Sequence, residues 1–249
     1  MAGHNKWSKI KHRKAVVDKR RGKVWTKISK AIIVAAKHGG GDPASNLTLR
    51  YAMDEARYAN MPRDTVERAI KKGAGGGEGA NYENNRYECY GPGGVAIIVD
   101  ALTDNRTRTI TDLRTAFGDH GGNVGSTGCV AYLFQPRGQI LVSGAGVSED
   151  KIMELAIEAG ALDAQPPEDD ESPTWTILTE VPAFNTVKDK IEKAGLTITQ
   201  AELSMIPDTL VTVRGEQAKQ LLELVDAVED LDDVQKVYTN ADIPDEDLG

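Results

Sequence analysis

Seven residues, Gly73-Ala74-Gly75-Gly76-Gly77-Glu78-Gly79, set the limit on what this chain can fold into. Glycine is a poor helix former, so a regular element does not cross such a run without cost. The hydrophobic period differs on its two sides. Before it, apolar residues recur every three or four positions; after it, short apolar runs alternate with amphipathic helical stretches. The run therefore reads as a flexible linker and a first domain boundary. A glycine-rich phosphate loop is the sharper alternative. It fails because no Gly-Lys-Ser/Thr ending and no preceding strand are present.

Upstream of the linker the spacing predicts three helices. Val24, Ile28, Ala31, Ile32 and Ala35 share one face of the first, which ends at Lys37-His38 before Gly39. The second spans about 46–60, with Leu49, Ala52, Met53 and Ala56 inward, and Pro62 breaks it. Asp64 reads as the N-cap of the third, with Glu67 completing a capping box. This helix buries Val66, Ala69 and Ile70 and stops at Gly73 after Lys71-Lys72. Residues 1–22 are polar, basic and aperiodic, and read as a mobile arm that orders on a partner.

Downstream, Tyr87–Tyr90 and Val95–Leu102 read as strands around Gly91-Pro92-Gly93-Gly94. A helix over 105–120 follows, with His120 as a terminal cap, and then a strand over Cys129–Phe134. From Gln139 to Leu203 the order is strand, helix, strand, strand, helix, strand, the split βαβ arrangement of ferredoxin-like domains. The loop between its middle strands, 166–173, is acidic. The late elements, a strand at 210–213, a helix around 218–228 and a strand at 234–238, complete the sheet begun at Tyr87. The acidic tail from Ala241 reads as frayed. The expected class is α+β, with domains at 1–80, at 81–134 plus 201–249, and at 135–200 as an insertion.

Charge is segregated along this plan. Residues 1–73 hold 18 Lys+Arg against 6 Asp+Glu, a net of +12, while the whole chain is at −8. That asymmetry points to a polyanionic partner, because neutralised phosphates release counterions. The candidate nucleic-acid contacts are Lys9, Lys11, Arg13, Lys14, Lys19, Arg20, Arg21, Lys23, Lys27 and Lys30. Trp7 is either a base-stacking ring or a packing anchor. Arg106 and Arg108 join the set because Thr103–Arg108 lies between a strand and a helix, where free N–H groups suit a phosphate or carboxylate. The bland reading there is a cap by Asp104 or Asn105 with arginines in surface pairs. No helix-turn-helix recognition helix is evident, and a basic arm suits structured RNA as well as DNA.

Catalytic patterns are missing: no His-Glu-x-x-His, no Gly-x-Ser-x-Gly and no Walker-type loop. Two of the four histidines, His4 and His12, fall in the arm. Cys89 and Cys129 lack neighbouring ligands for a zinc site and read as small buried thiols of a reducing compartment. No apolar run spans a bilayer and no secretory signal is evident. The expectation is a cytoplasmic, non-enzymatic protein without metal, cofactor or obligate small-molecule ligand. A small-molecule sensor built on the ferredoxin-like part rests on fold analogy alone. A hydrolase with scattered carboxylates has nothing positive behind it.

Four segments carry a resemblance: MAGHNKWSKIKHRKAVVDKRRGKVWTKISKAI, NMPRDTVERAIKKG, YGPGGVAIIVDALTDNRTRT and HGGNVGSTGCVAYLF. Together they resemble the YebC/PmpR family, which includes the mitochondrial translational activator of cytochrome oxidase. The resemblance implies a helical N-terminal domain and two mixed α/β domains, the third inserted in the second. Cys89 stands where the family has Gly and Cys129 where Ser is common. For function, the resemblance implies a probable transcriptional regulator that binds DNA. The alternative is a translation factor that binds ribosomal RNA and the ribosome to relieve stalling at proline-rich stretches. Either role needs a polyanion-binding surface, and neither needs catalysis.

Overall fold

The computed structural model describes residues 18–75, 81–144, 146–167 and 173–247, the side chains of 18–21 and 245 excepted. The chain is α+β. Its described residues divide into two compact units, one running Gln135–Ile206 and the other holding the described residues up to Phe134 together with those from Pro207 onward.

The second unit opens with helices α1 (Asp18–Gly39), α2 (Leu47–Tyr58) and α3 (Arg63–Ala74). Ile28, Ile32, Ala36, Leu49, Ala52, Ala56, Val66 and Ala69 form their common core. Asn46 joins two of them. Its Oδ1 caps α2 by accepting from Leu49 N at 3.1 Å. Its Nδ2 donates to Ala35 O and Gly40 O at the end of α1, both at 2.8 Å. Trp25 Nε1 donates to Ala59 O at 3.0 Å.

Several boundaries differ from the sequence expectation. Residues 18–22 are helical, so they are not part of an irregular arm; residues 1–17, with Trp7, Lys9, Lys11, Arg13 and Lys14, lie outside the described residues. The cap of α3 is Pro62, not Asp64, and Glu67 takes the Arg63 guanidinium at 2.8 Å instead of closing a capping box. Proline's fixed φ, −58° here, suits the entry to a helix, and the start lies two residues upstream of the expected one. Gly73 belongs to the helix, not to the linker. A Cβ there would lie 2.3 Å from Ile33 O and 2.8 Å from the Ala36 side chain, so glycine is what lets α3 cross α1.

The sheet of this unit uses β1 (Glu83–Tyr90), β2 (Ala96–Thr103) and, after α4 (Arg106–Asp119), the short β3 (Asn123–Val124). Its last strand comes from beyond the insertion. The insertion itself is β4 (Phe134–Ser143), α5 (Glu149–Ala159), β5 (Asp163–Gln165), β6 (Thr174–Thr179), α6 (Phe184–Lys193) and β7 (Ile198–Pro207). Its strand order, β5-β6-β4-β7, is that of a ferredoxin-like sheet. Ile140, Val142, Ile152, Ala156, Ile177, Phe184, Val187 and Ile191 are among its buried residues, those of α5 and α6 coming from the stripes that the sequence period marks.

The chain then adds β8 (Val211–Thr212), α7 (Gly215–Glu229), β9 (Val234–Thr239) and β10 (Ala241–Asp242). Strand order is β3-β1-β2-β9, with Cys89 opposite Ile97 and Val99 opposite Val237. Leu113 and Phe117 of α4 and Leu221, Leu224 and Val225 of α7 pack with Cys89, Ile97, Val99 and Val237 in one core. Two late expectations are corrected. β8 does not join the main sheet; it pairs in parallel with β10. The tail is not frayed at its start, because Ala241 and Ile243 are buried in that core. His120 closes α4 at its C-cap, its Nδ1 lying 2.8 Å from Ala116 O.

Candidate nucleic-acid interface

Lys23, Lys27 and Lys30 stand at helical spacing on one side of α1. All three meet the carboxyl end of α7 and the turn after it. Lys23 Nζ lies 3.1 Å from Asp230 Oδ1. Lys27 Nζ donates to Glu229 O at 2.5 Å. Lys30 Nζ donates to Asp232 O at 3.0 Å, lies 3.5 Å from Asp233 Oδ1 and sits 5.5 Å from the centre of the Tyr82 ring. The physical cause is the end of α7, where the last carbonyls lack helical partners and the helix dipole is negative. Burial pulls the Lys27 pKa below its ordinary value, against the opposing field of Glu229, Asp230 and Asp232. Three of the cations expected to meet phosphate thus make intramolecular contacts. Lys19, Arg20 and Arg21 lie in the first turns of α1, with side chains outside the described set.

The segment Thr103–Arg108 does surround a carboxylate, and it is the chain's own Asp233. Asp233 Oδ2 accepts from Arg108 Nη2 at 2.6 Å, Arg108 Nε at 3.2 Å, Thr109 Oγ1 at 3.0 Å and Thr103 Oγ1 at 3.2 Å. Burial alone would raise the Asp233 pKa; Arg108 and the two threonines outweigh it and hold the carboxyl below its ordinary value. Arg108 also reaches Asp104 at 2.8 Å, and Arg106 reaches Glu83 at 2.6 Å. Asn105 Oδ1 caps α4 by accepting from Arg108 N at 3.0 Å. Sequence reasoning missed Asp233. Its signal was the Asp232-Asp233 doublet directly before a strand.

The exterior of α3 carries cations that the sequence reading left out of the candidate set. Arg63, Arg68, Lys71 and Lys72 are all exposed. Arg63 pairs with Glu67, and Arg68 bonds Asp64 O and Thr65 Oγ1. Lys71 and Lys72 enter no ion pair among the described residues. Their signal was the doublet itself, read only as a helix-terminal charge.

A separate feature sits at the β3 edge of the sheet. Residues 129–133, expected as a strand, form a turn and a 3-10 segment at Ala131–Leu133. The cause is Glu88. Its carboxylate, buried on β1, accepts from Gly128 N at 2.6 Å and from Val130 N and Ala131 N at 2.7 Å each. Those N–H groups are therefore unable to join a ladder. Burial would raise the Glu88 pKa, but the three backbone donors hold it below its ordinary value. Tyr90 Oη donates to Cys129 O at 2.9 Å. Cys129 is thus half-buried in a turn, while Cys89 is fully buried in β1 with its thiol pushed up to about 12 by burial.

Among the described residues, no group of three His, Cys, Asp or Glu side chains could hold a metal ion. No described helix is long and apolar enough to cross a membrane.

A basic three-helix bundle ahead of a sheet domain with a ferredoxin-like insertion defines a three-part α+β class of protein. Residues 5–76 match the family model described as the TACO1/YebC protein N-terminal domain, and residues 82–241 match the TACO1/YebC second and third domain. The chain belongs to the TACO1/YebC family. A "Probable transcriptional regulatory protein" of Citrifermentans bemidjiense is 51% identical over 248 residues, covering 100% of this chain and 98% of the relative. One of the same name from Polynucleobacter asymbioticus is 52% identical over 241 residues, covering 97% and 99%. The crystal structure of a conserved hypothetical protein from Aquifex aeolicus aligns with a TM-score of 0.83 at 45% identity, covering 93% of this chain and 94% of that one.

Proposed function

We propose that this chain is a regulator of gene expression that acts in the cytoplasm by binding nucleic acid and catalyses no reaction. The observation that carries the reading is the concentration of positive charge in the helical part, a net of +12 over residues 1–73 of a chain at −8. Because Lys23, Lys27, Lys30 and Arg108 make internal contacts, the reading assigns phosphate contact mainly to the basic sequence before α1 and to Lys71 and Lys72. The names of the relatives support a role in transcription.

Neutralising about five phosphates gives a slope near −4.5 for log affinity against log salt on duplex DNA. The test is a titration of a labelled oligonucleotide across a salt series; a flat response rejects the reading. Crosslinking in cells, with sequencing of the bound nucleic acid, then separates promoter DNA from ribosomal RNA as the target.

A further inference from the structure

Six large apolar side chains are exposed among the described residues, and three of them, Met153, Ile157 and Leu162, fall close together in the sequence of the insertion. Single exposed apolar residues are ordinary; a cluster is not. Met153 and Ile157 are one turn apart on α5, so they share a face. It is not the face that holds this helix on its sheet, which is Ile152, Ala156 and Ala159. Leu162 follows the left-handed Gly160 and stands directly before the edge strand β5. Ile157 is 71% exposed and Leu162 54%.

The backbone under these side chains is fixed. Lys190 Nζ of α6 donates to Glu158 O at 3.1 Å and to Ala159 O at 3.3 Å, closing the end of α5. Ala161 N donates to Ala156 O at 2.9 Å, and Leu162 N donates to Leu178 O at 2.7 Å. A surface that is ordered beforehand loses less entropy when a partner binds.

Charge decides what this surface fits. Asp150, Glu154 and Glu158 succeed one another at four-residue spacing beside Met153 and Ile157, all exposed and in no ion pair among the described residues. Lys151 is the one cation of the helix. Residues 135–206 hold 5 Lys+Arg against 13 Asp+Glu, a net of −8. Such a field repels phosphates, and with them nucleic acid and anionic lipid. A second copy meeting this face symmetrically would set the same carboxylates against each other. An apolar centre with an acidic rim instead complements a segment that carries apolar side chains among Lys and Arg.

We propose that Met153, Ile157 and Leu162, rimmed by Asp150, Glu154 and Glu158, form a docking surface for a basic amphipathic segment of a partner protein. The inference does not depend on the nucleic-acid reading, since it concerns other residues and the opposite charge.

The test uses the full-length protein and a fluorescently labelled amphipathic peptide of Leu and Lys, beside a Leu and Glu peptide of the same pattern. Anisotropy titrations should show binding of the first peptide and none of the second. Ile157→Ser combined with Leu162→Ser should weaken binding about 10-fold, the effect of denying two apolar side chains their burial. Glu154→Gln combined with Glu158→Gln should weaken it as well and make it less dependent on salt. Leu47→Ser, which removes an exposed apolar side chain of the helical part, should change nothing. Because the replaced side chains are exposed, all variants should melt at the wild-type temperature. If the Ile157→Ser, Leu162→Ser variant binds the Leu and Lys peptide as tightly as wild type, the attraction is charge alone and the docking surface is overturned. Equal binding of the two peptides, or binding of neither, also overturns it. So does a wild-type dimer in sedimentation that these two substitutions dissociate, which would assign the face to a second copy.

Discussion

The Lys27 ammonium donates to the carbonyl of Glu229 at 2.5 Å, joining α1 to the end of α7 across 202 positions of sequence. The partner is a backbone oxygen, so this contact does not depend on a counter-charge that salt could displace. A hydrogen bond to a charged group contributes about 1.5–3 kcal/mol. Lys27→Met removes this bond but also relieves the desolvation of the ammonium, so it should lower unfolding free energy by less than that amount in urea titrations while changing nucleic-acid affinity less than about twofold. The pH dependence has a definite sign. The folded state holds the Lys27 pKa below 10.5, so between the two values the unfolded chain binds more protons. Wild-type stability should therefore rise relative to Lys27→Met as pH climbs through that window.

Glu88 gives the opposite limb. Its folded pKa lies below 4.5, so its contribution is complete above the unfolded value and disappears as pH falls through the folded one. Glu88→Gln keeps the shape but turns an NH2 group toward at least one of the backbone donors. The expected loss is about 2 kcal/mol at neutral pH, with a shallower decline of stability below pH 4.5 than in wild type. Equal acid limbs in the two proteins would show that the three N–H contacts do not set the carboxyl's acidity.

Gly73→Ala sets two effects against each other. Alanine gains about 1 kcal/mol in helix propensity over glycine. Its Cβ, however, meets the Ile33 carbonyl at 2.3 Å, where the opposing atom is backbone and cannot swing away. Overpacking of this kind costs about 1–3 kcal/mol. Net destabilisation is expected, read as a lower melting temperature with the helical CD signal retained.

The elements were legible in the sequence where period and punctuation agree. The stripes at Ile28, Ile32 and Ala35 and at Phe184, Val187 and Ile191 bury as the spacing implies. The βαββαβ order of the insertion follows from the alternation of those stripes with short apolar runs. What failed were features decided by distant partners. The run Cys129–Phe134 has strand composition, but Glu88, some forty positions upstream, takes its donors. Gly73 looks like a linker residue until Ile33 is seen beneath it. The same limit applies to the candidate interface. Local charge cannot show that Lys27 and Lys30 point at the end of a helix 200 residues away, or that Asp233 already fills the cradle between Thr103 and Arg108.

Lys71 and Lys72 give the most direct test of where phosphate is held. They are exposed in the last turn of α3, and no ion pair among the described residues ties them down. Removing one cation from a phosphate changes the salt slope on duplex DNA by about 0.9. Lys71→Gln combined with Lys72→Gln should therefore make the slope shallower by about 1.8, weaken binding uniformly across sequences and leave the melting temperature unchanged. Fluorescence anisotropy across a salt series measures slope and affinity in one experiment. An unchanged slope would move the phosphate contacts off α3 and onto the basic sequence that precedes α1.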